Sequence, residues 1–248
     1  MKNEYLLENQ QAHSKPTAST KQDLMKKALC DVCHRMWALG WVAANDGNVS
    51  VMLENDLILC TPSGISKGDM TTEMVLTVNR DGKVIEGTGR PSTELAMHLR
   101  CYAEREDVRA VVHAHPPYST AFAVANRALD SYAMIETICS LGAVPVAPYA
   151  TPGTDEVPDS IAPFLAKHDA ILLRAHGALT VGTDLQTAYY RMETLEHFAK
   201  ISLFAHQLGG AVDISRERID ILLERRESFY HFTGKHPGYV KFHHDNEQ

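Results

Sequence analysis

VVHAHPPYS occupies residues 111–119. Two valines precede two histidines set one residue apart, and two prolines follow. The longer run VRAVVHAH reads as a buried strand. HPPYSTAFAVAN reads as the helix that follows it, because proline is well tolerated at the opening of a helix. In a strand, residues i and i+2 share a face, so His113 and His115 project side by side at the strand's C-terminal end. Two polar residues at a strand end are ordinary in themselves. Two neighbouring imidazoles also suit a metal, since zinc accepts imidazole nitrogen at ~2.0–2.1 Å. The nine residues leave both readings open.

Working outward, Thr20 and Asp23 resemble a capping box. Leu24, Leu29, Val32, Met36 and Leu39 then recur at helical spacing, so the pattern predicts an amphipathic helix over 21–39 that ends at Gly40. NVSVML and DLILC read as short strands. VLTVN and KVIEG read as a hairpin turned by Asp81-Gly82. Residues 92–105 read as a helix, AVPVAPY, AILLRAH and ALTVG as strands, Asp184–His206 as a long helix stopped by Gly209-Gly210, and 214–228 as a last helix. Strands and helices mix, with several strands in succession early on. This predicts an α/β fold, a single-domain sandwich with a central, mainly antiparallel sheet flanked by helices. Residues 1–19 read as a flexible N-terminal tail, 20–230 as one folded domain and 231–248 as an irregular C-terminal tail.

The chain of 248 residues is long enough to bury a sizeable core. With 44% apolar and 22% charged residues it reads as a soluble globular protein. A net charge of -7 argues against nucleic-acid binding and against an anionic membrane surface. No stretch approaches the ~20 apolar residues of a membrane span. The N-terminus lacks the apolar core of a secretory signal, and five cysteines with no export signal suggest reduced thiols and a cytoplasmic location.

CDVCH at 30–34 matches the spacing for covalent haem attachment. That chemistry requires export, and both cysteines fall inside the first amphipathic helix, where small thiols pack as apolar groups. The histidine pair gains weight from His176 in LLRAHGAL, again just after an apolar strand. Three histidines with an open fourth position form a catalytic zinc pattern. PSTELAMHLR places Glu94 in the first turn of a helix behind Pro91, where an acidic residue offsets the helix dipole or completes a cap, and Ser92 and Thr93 are cap residues on the same reading. A helix start with free N–H groups also suits phosphate. His98, one turn later, reads as a surface residue. NDGNVS (45–50) and TPSGISKGD (61–69) are ordinary turns or anion cradles, because glycine lets backbone N–H groups approach an anion closely.

GNVSV, TPSGIS, GRPSTELAMHL, AVVHAHPPYSTAFA and AILLRAHGALTVG, in this order and spacing, resemble the class II aldolase/adducin family, most closely its L-fuculose-phosphate aldolase branch. The resemblance runs from about Lys21 to about Leu208. It implies a metal-dependent aldolase that cleaves a ketose 1-phosphate to dihydroxyacetone phosphate and an aldehyde. It implies a homotetramer with active sites at subunit contacts. It assigns His113, His115 and His176 as ligands of Zn2+, with Mn2+ or Co2+ able to take the same ligands. Glu94 becomes the acid/base that also touches the metal. Gly47, Asn48, Ser63, Gly64, Ser92 and Thr93 become the phosphate site. The branch uses a tyrosine from the neighbouring subunit on the aldehyde side, near Met134 by position; this chain offers Tyr132. Related 4-epimerases carry aspartate in place of Glu94 and a longer interval before the third histidine. Family decarboxylases keep similar metal residues, whereas adducin-like binding modules have lost the histidines.

Overall fold

A computed structural model of the protein describes residues 20–242. The tail expected at 1–19 and residues 243–248 lie outside the described residues. The strands are β1 (Asn48–Met52), β2 (Ile58–Cys60), β3 (Leu76–Val78), β4 (Val84–Glu86), β5 (Ala110–Ala114), β6 (Val146–Ala147), β7 (Ala170–Leu173) and β8 (Gly177–Gly182). The helices are α1 (Lys21–Ala38), α2 (Leu95–Glu104), α3 (Pro117–Val124), α4 (Ile135–Ser140), α5 (Glu156–Leu165), α6 (Leu185–Gln207) and α7 (Arg216–Arg225). The strands form one eight-stranded sheet of order β4-β3-β2-β1-β5-β8-β7-β6. Every pairing is antiparallel except β6 with β7. This is the mixed, mainly antiparallel sandwich expected.

Period-two alternation explains the layers. Val49, Val51, Val112, Ala114, Leu172 and Ala178 face one core with side chains of α1 and α6. Met52, Ile58, Val111, Ile171, Leu173, Leu179 and Val181 face the other core with side chains of α2 and α5. Strands covered on both faces read as continuous apolar runs, which is why AILL and AVV carry no polar alternation. Thr20 caps α1, and its box with Asp23 is complete. Cys30 and Cys33 lie buried in the core face of α1. Burial pushes their thiols up to about 11 and about 12, so they pack as apolar groups. No helix among the described residues is long and apolar enough to cross a membrane.

Several elements differ from the sequence reading. The AVPVAPY strand shrinks to two residues, because Pro145 and Pro148 flank it and cannot donate to a ladder. Helices α4 and α5 were not expected. Helix α4 has only six residues, too few to show a period, and α5 carries Pro163 in its interior. Residues 231–242 have no regular structure but are tied to the body. Arg226 and Arg191 both donate to the Thr233 carbonyl, and the Phe242 N–H donates to Asp130.

Asp169, just before β7, is buried between Arg105 (2.5 Å) and Arg191 (2.7 Å). Its carbonyl also accepts from Val181 N–H, so it locks the base of the β7–β8 hairpin. Asp169→Ala would leave Arg191 without a carboxylate and Arg105 with that of Asp107 alone. It is expected to lower the unfolding free energy by about 3–5 kcal/mol, read as a shift of the urea midpoint at unchanged slope. A loss below about 1 kcal/mol, the range of surface pairs, would show that the cluster does not hold the hairpin.

Candidate metal centre and anion cleft

The strand registers bring five segments to one end of the sheet. Asn48, at the start of β1, lies opposite His113 near the end of β5. Ala114, the last residue of β5, lies opposite Ala178 near the start of β8. Strand β2 ends at Cys60 opposite Ser50, so the TPSGIS loop opens at the same end. The bridge between Pro62 and Pro91, and the bond from Ser63 N–H to the Arg90 carbonyl (2.8 Å), draw the segment before α2 alongside.

Two glycines permit this convergence. A Cβ on Gly177 would stand 2.5 Å from the Ala114 carbonyl oxygen and 2.5 Å from the His115 ring. A Cβ on Gly47, whose φ is +70°, would stand 2.9 Å from the His113 carbonyl oxygen. Between the two approaches the imidazoles of His113, His115 and His176 face one another, with ring centroids 4.8–5.0 Å apart. Their ligand atoms all lie within 4.8 Å of one another. His115 lies one residue beyond β5 rather than within it. Its backbone N–H donates to the Trp41 carbonyl, which keeps it in line. His176 closes the β7–β8 turn, behind Ala175 at φ +57°.

The outer partners of the rings set their orientation. His113 Nδ1 is 2.9 Å from the Ala178 carbonyl oxygen, so Nδ1–H donates there and Nε2 faces inward. His115 Nδ1 is 3.5 Å from Asp46 Oδ2, and its Nε2 is 3.2 Å from His113 Nε2. Partners of this kind fix the tautomer of a metal-binding histidine. Glu94 completes the cluster, with Oε2 3.3 Å from His113 Nε2 and Oε1 3.1 Å from His176 Nε2. The Asn48 amide donates to Oε2 at 2.8 Å, whereas the buried Oε1 has no hydrogen-bond partner. A buried carboxylate oxygen without a partner is costly unless something else engages it. Three inward-facing imidazole nitrogens and this oxygen form a donor set that fits a divalent metal such as zinc.

Glu94 does not cap α2 as expected from its position. It stands one residue before the helix, and its side chain makes no cap bond. Ser92 Oγ accepts from the Glu94 N–H instead. Burial pushes the Glu94 carboxyl up, but the neighbouring His113 and His176 and the Asn48 amide outweigh it and hold it well below the usual carboxylate range. Burial opposes charge on His113, yet Glu94 and the Ala178 carbonyl raise its pKa above the ordinary 6.5. Burial and the His113 cation lower His115, and the same causes bring His176 down to about 4. Charge on His113, beside Glu94, is thus favoured over charge on His115 or His176.

Beside the cluster lies a cleft of about 210 Å³. Gly47, Asn48, Ser63, Gly64, Ser92, Thr93, Glu94, His115 and His176 all line it, together with Asn45, Asp46, Pro62 and Pro152. His113, fully buried, does not line it. Tyr132 is not brought to this cleft. It is 1% exposed and stacks on Tyr239. Its hydroxyl accepts from Val240 N–H at 2.7 Å and faces the carbonyls of Gly238 and Val240.

Sequence reasoning missed Asp46, Pro152, Lys67 and the burial of His98. Lys67 is buried and donates to the carbonyls of Asn45 (3.0 Å) and Ile65 (2.8 Å), tying the two cradle loops together. The signal available for His98 was its spacing of four residues from Glu94, which puts both on one helical face.

The family described as Class II Aldolase and Adducin N-terminal domain matches residues 27–203. The L-fuculose phosphate aldolase of Methanococcus vannielii is 34% identical over 176 residues, covering 71% of this chain and 94% of that protein. A solved structure of L-fuculose 1-phosphate aldolase superposes with a TM-score of 0.75 at 31% identity, covering 81% of this chain and 94% of the other. YgbL from Escherichia coli, a putative aldolase/epimerase/decarboxylase, superposes at 0.77 with 26% identity, covering 82% of this chain and 100% of its own. The chain belongs to the class II aldolase and adducin family.

Metal uptake requires a neutral imidazole at His113. Because the pKa of His113 is raised above 6.5, zinc should displace a proton at pH 6.5 and progressively less of one as the pH rises, and its affinity should weaken as the pH falls. Calorimetric titration with zinc in two buffers of different ionisation enthalpy measures this directly. A buffer-independent heat at pH 6.5 would contradict the raised His113 pKa.

Proposed function

We propose that this chain is a metal-dependent aldolase that reversibly cleaves a ketose 1-phosphate, L-fuculose 1-phosphate or a similar deoxy-ketose phosphate, to dihydroxyacetone phosphate and an aldehyde. One observation carries the reading. His115, His176, Glu94 and a cradle of small polar residues line one cleft, and buried His113 completes the three-imidazole cluster beside it. The relatives at about 30% identity that bear aldolase names support it.

His113, His115 and His176 would hold the metal, with Glu94 beside them. Once bound, a zinc ion supplies Lewis-acid polarisation of substrate oxygens. The cradle of Gly47, Asn48, Ser63, Gly64, Ser92 and Thr93 binds the phosphate through N–H and O–H donors. That contact fixes the three-carbon half, so binding energy goes into orientation. Glu94 works through Oε1. In synthesis it takes a proton from the carbon that will form the new bond, and in cleavage it returns one to the carbon the aldehyde has left. Assembly as a homotetramer with sites at subunit contacts and a cytoplasmic location go with this reading. The second reading, an epimerase or decarboxylase acting on a sugar phosphate, draws on the likeness to YgbL, a putative aldolase/epimerase/decarboxylase.

The test is release of dihydroxyacetone phosphate by the zinc-loaded protein from L-fuculose 1-phosphate. The synthesis direction is screened with lactaldehyde, glycolaldehyde and an alkylthio aldehyde. Glu94→Gln should lower kcat by about 10²–10⁴-fold while the three imidazoles keep the metal, and His113→Ala should lose both metal and cleavage. Carbon dioxide or an epimer formed without dihydroxyacetone phosphate would replace the first reading with the second.

A further inference from the structure

Behind the cleft, four buried polar side chains between β1 and α2 form a single file. His98 is 1% exposed, not at the surface as its sequence position suggested. Its Nε2 is 2.5 Å from Asn48 Oδ1, and its Nδ1 is 2.7 Å from Ser50 Oγ. Ser50 Oγ in turn is 2.7 Å from the Tyr102 hydroxyl. At the other end, Asn48 Nδ2 donates to Glu94 Oε2 and to Ser92 Oγ at the rim of the cleft.

We propose that His98 is a positioning residue, which sets the face of the Asn48 amide that the cleft sees by donating a hydrogen bond from Nε2 to Asn48 Oδ1.

The direction of every bond in the file follows from its ends. An ionised carboxylate only accepts, so the NH2 group of Asn48 must face Glu94, and its carbonyl oxygen must face His98. That oxygen needs a donor, which places the proton on Nε2. His98 Nδ1 is then an acceptor, so Ser50 gives it its hydroxyl proton, and Ser50 accepts from Tyr102. Reversing the file would set the Asn48 carbonyl oxygen 2.8 Å from a Glu94 oxygen, acceptor against acceptor. The ring has no freedom to supply both directions, because burial holds His98 down to about 3 and so neutral near pH 7. The file therefore fixes Asn48 as a donor toward Glu94 and the anion cradle. Its effect on turnover rests on the aldolase reading, whereas the bond direction does not.

The test uses the full-length, zinc-loaded protein labelled with 15N-histidine. Long-range 1H–15N spectra should show His98, assigned by its displacement in Tyr102→Phe, as the Nε2–H tautomer, unchanged between pH 6 and 8. A Nδ1–H tautomer, or a doubly protonated ring, overturns the proposal. Inorganic phosphate binding, followed by calorimetry, gives a second readout. Glutamine places an amide N–H near the position of Nε2, so His98→Gln should bind phosphate within about threefold of the parent. His98→Leu leaves Asn48 Oδ1 buried without a donor and should weaken binding by about tenfold or more. Equal losses in the two variants, or none in either, would mean that the file only fills space. Absence of aldol cleavage alongside the expected tautomer and phosphate pattern would fail the aldolase reading alone and leave this one standing.

Discussion

The site depends on how closely backbone meets backbone at the end of β5. Gly177 approaches the Ala114 carbonyl from one side and Gly47 approaches the His113 carbonyl from the other, each leaving no room for a Cβ. A close approach is the role for which glycine is suited. Because β8 starts so near the end of β5, the turn before it delivers His176 to the two histidines already there. Because the residue before β1 is a glycine, Asn48 starts its strand directly across from His113. The metal cluster and the anion cradle are therefore two consequences of one piece of sheet geometry.

The second constraint is charge. A carboxylate in a buried place has to be compensated, and Glu94 is compensated by imidazoles and an amide rather than by the helix it precedes. Among the described helices, a side-chain cap bond is present at the starts of α1 and α6 and absent at the other five. Thr20 caps α1, and Asp184 caps α6 through the Thr187 N–H. At α2 the cap residue has its side chain turned away from the helix. Glu94 Oε1 lies buried without a hydrogen bond, 3.1 Å from His176 Nε2, at the centre of the cluster. Asn48 links this oxygen's carboxylate to the buried file behind it, so the charge in the cleft and the polar network between β1 and α2 form one system.

Much of the architecture was legible because its cause is local. The helix over 21–39 announced itself through a capping box and a period of apolar residues, and it appears as α1. The long helix from Asp184 was legible from its pattern and the Gly209-Gly210 stop, and it appears as α6. Where local cause was weak, the reading failed. Helix α4 is too short to show a period, α5 contains prolines that argue against a helix, and AVPVAPY looked like a strand although its prolines confine it to two paired residues. CDVCH carried a spacing without a setting, since both thiols are buried in the helix core.

By itself the sequence determined the residue types at the cleft and the end of the sheet that bears them. His113 and His115 follow from the two-residue repeat of a strand, and the glycine-rich loops lie just beside strand ends, all within a few residues of their cause. Only the tertiary structure decided what each side chain does. His98 looked superficial and is buried because its partner Ser50 lies 48 residues earlier. Tyr132 looked available to a substrate, but its hydroxyl is engaged by Val240, 108 residues later. Asp46 gained a role only when the fold set it beside His115. Hydrogen bonds and desolvation act over a few ångströms of space, and separations of this length along the chain say nothing about distance until the sheet has closed.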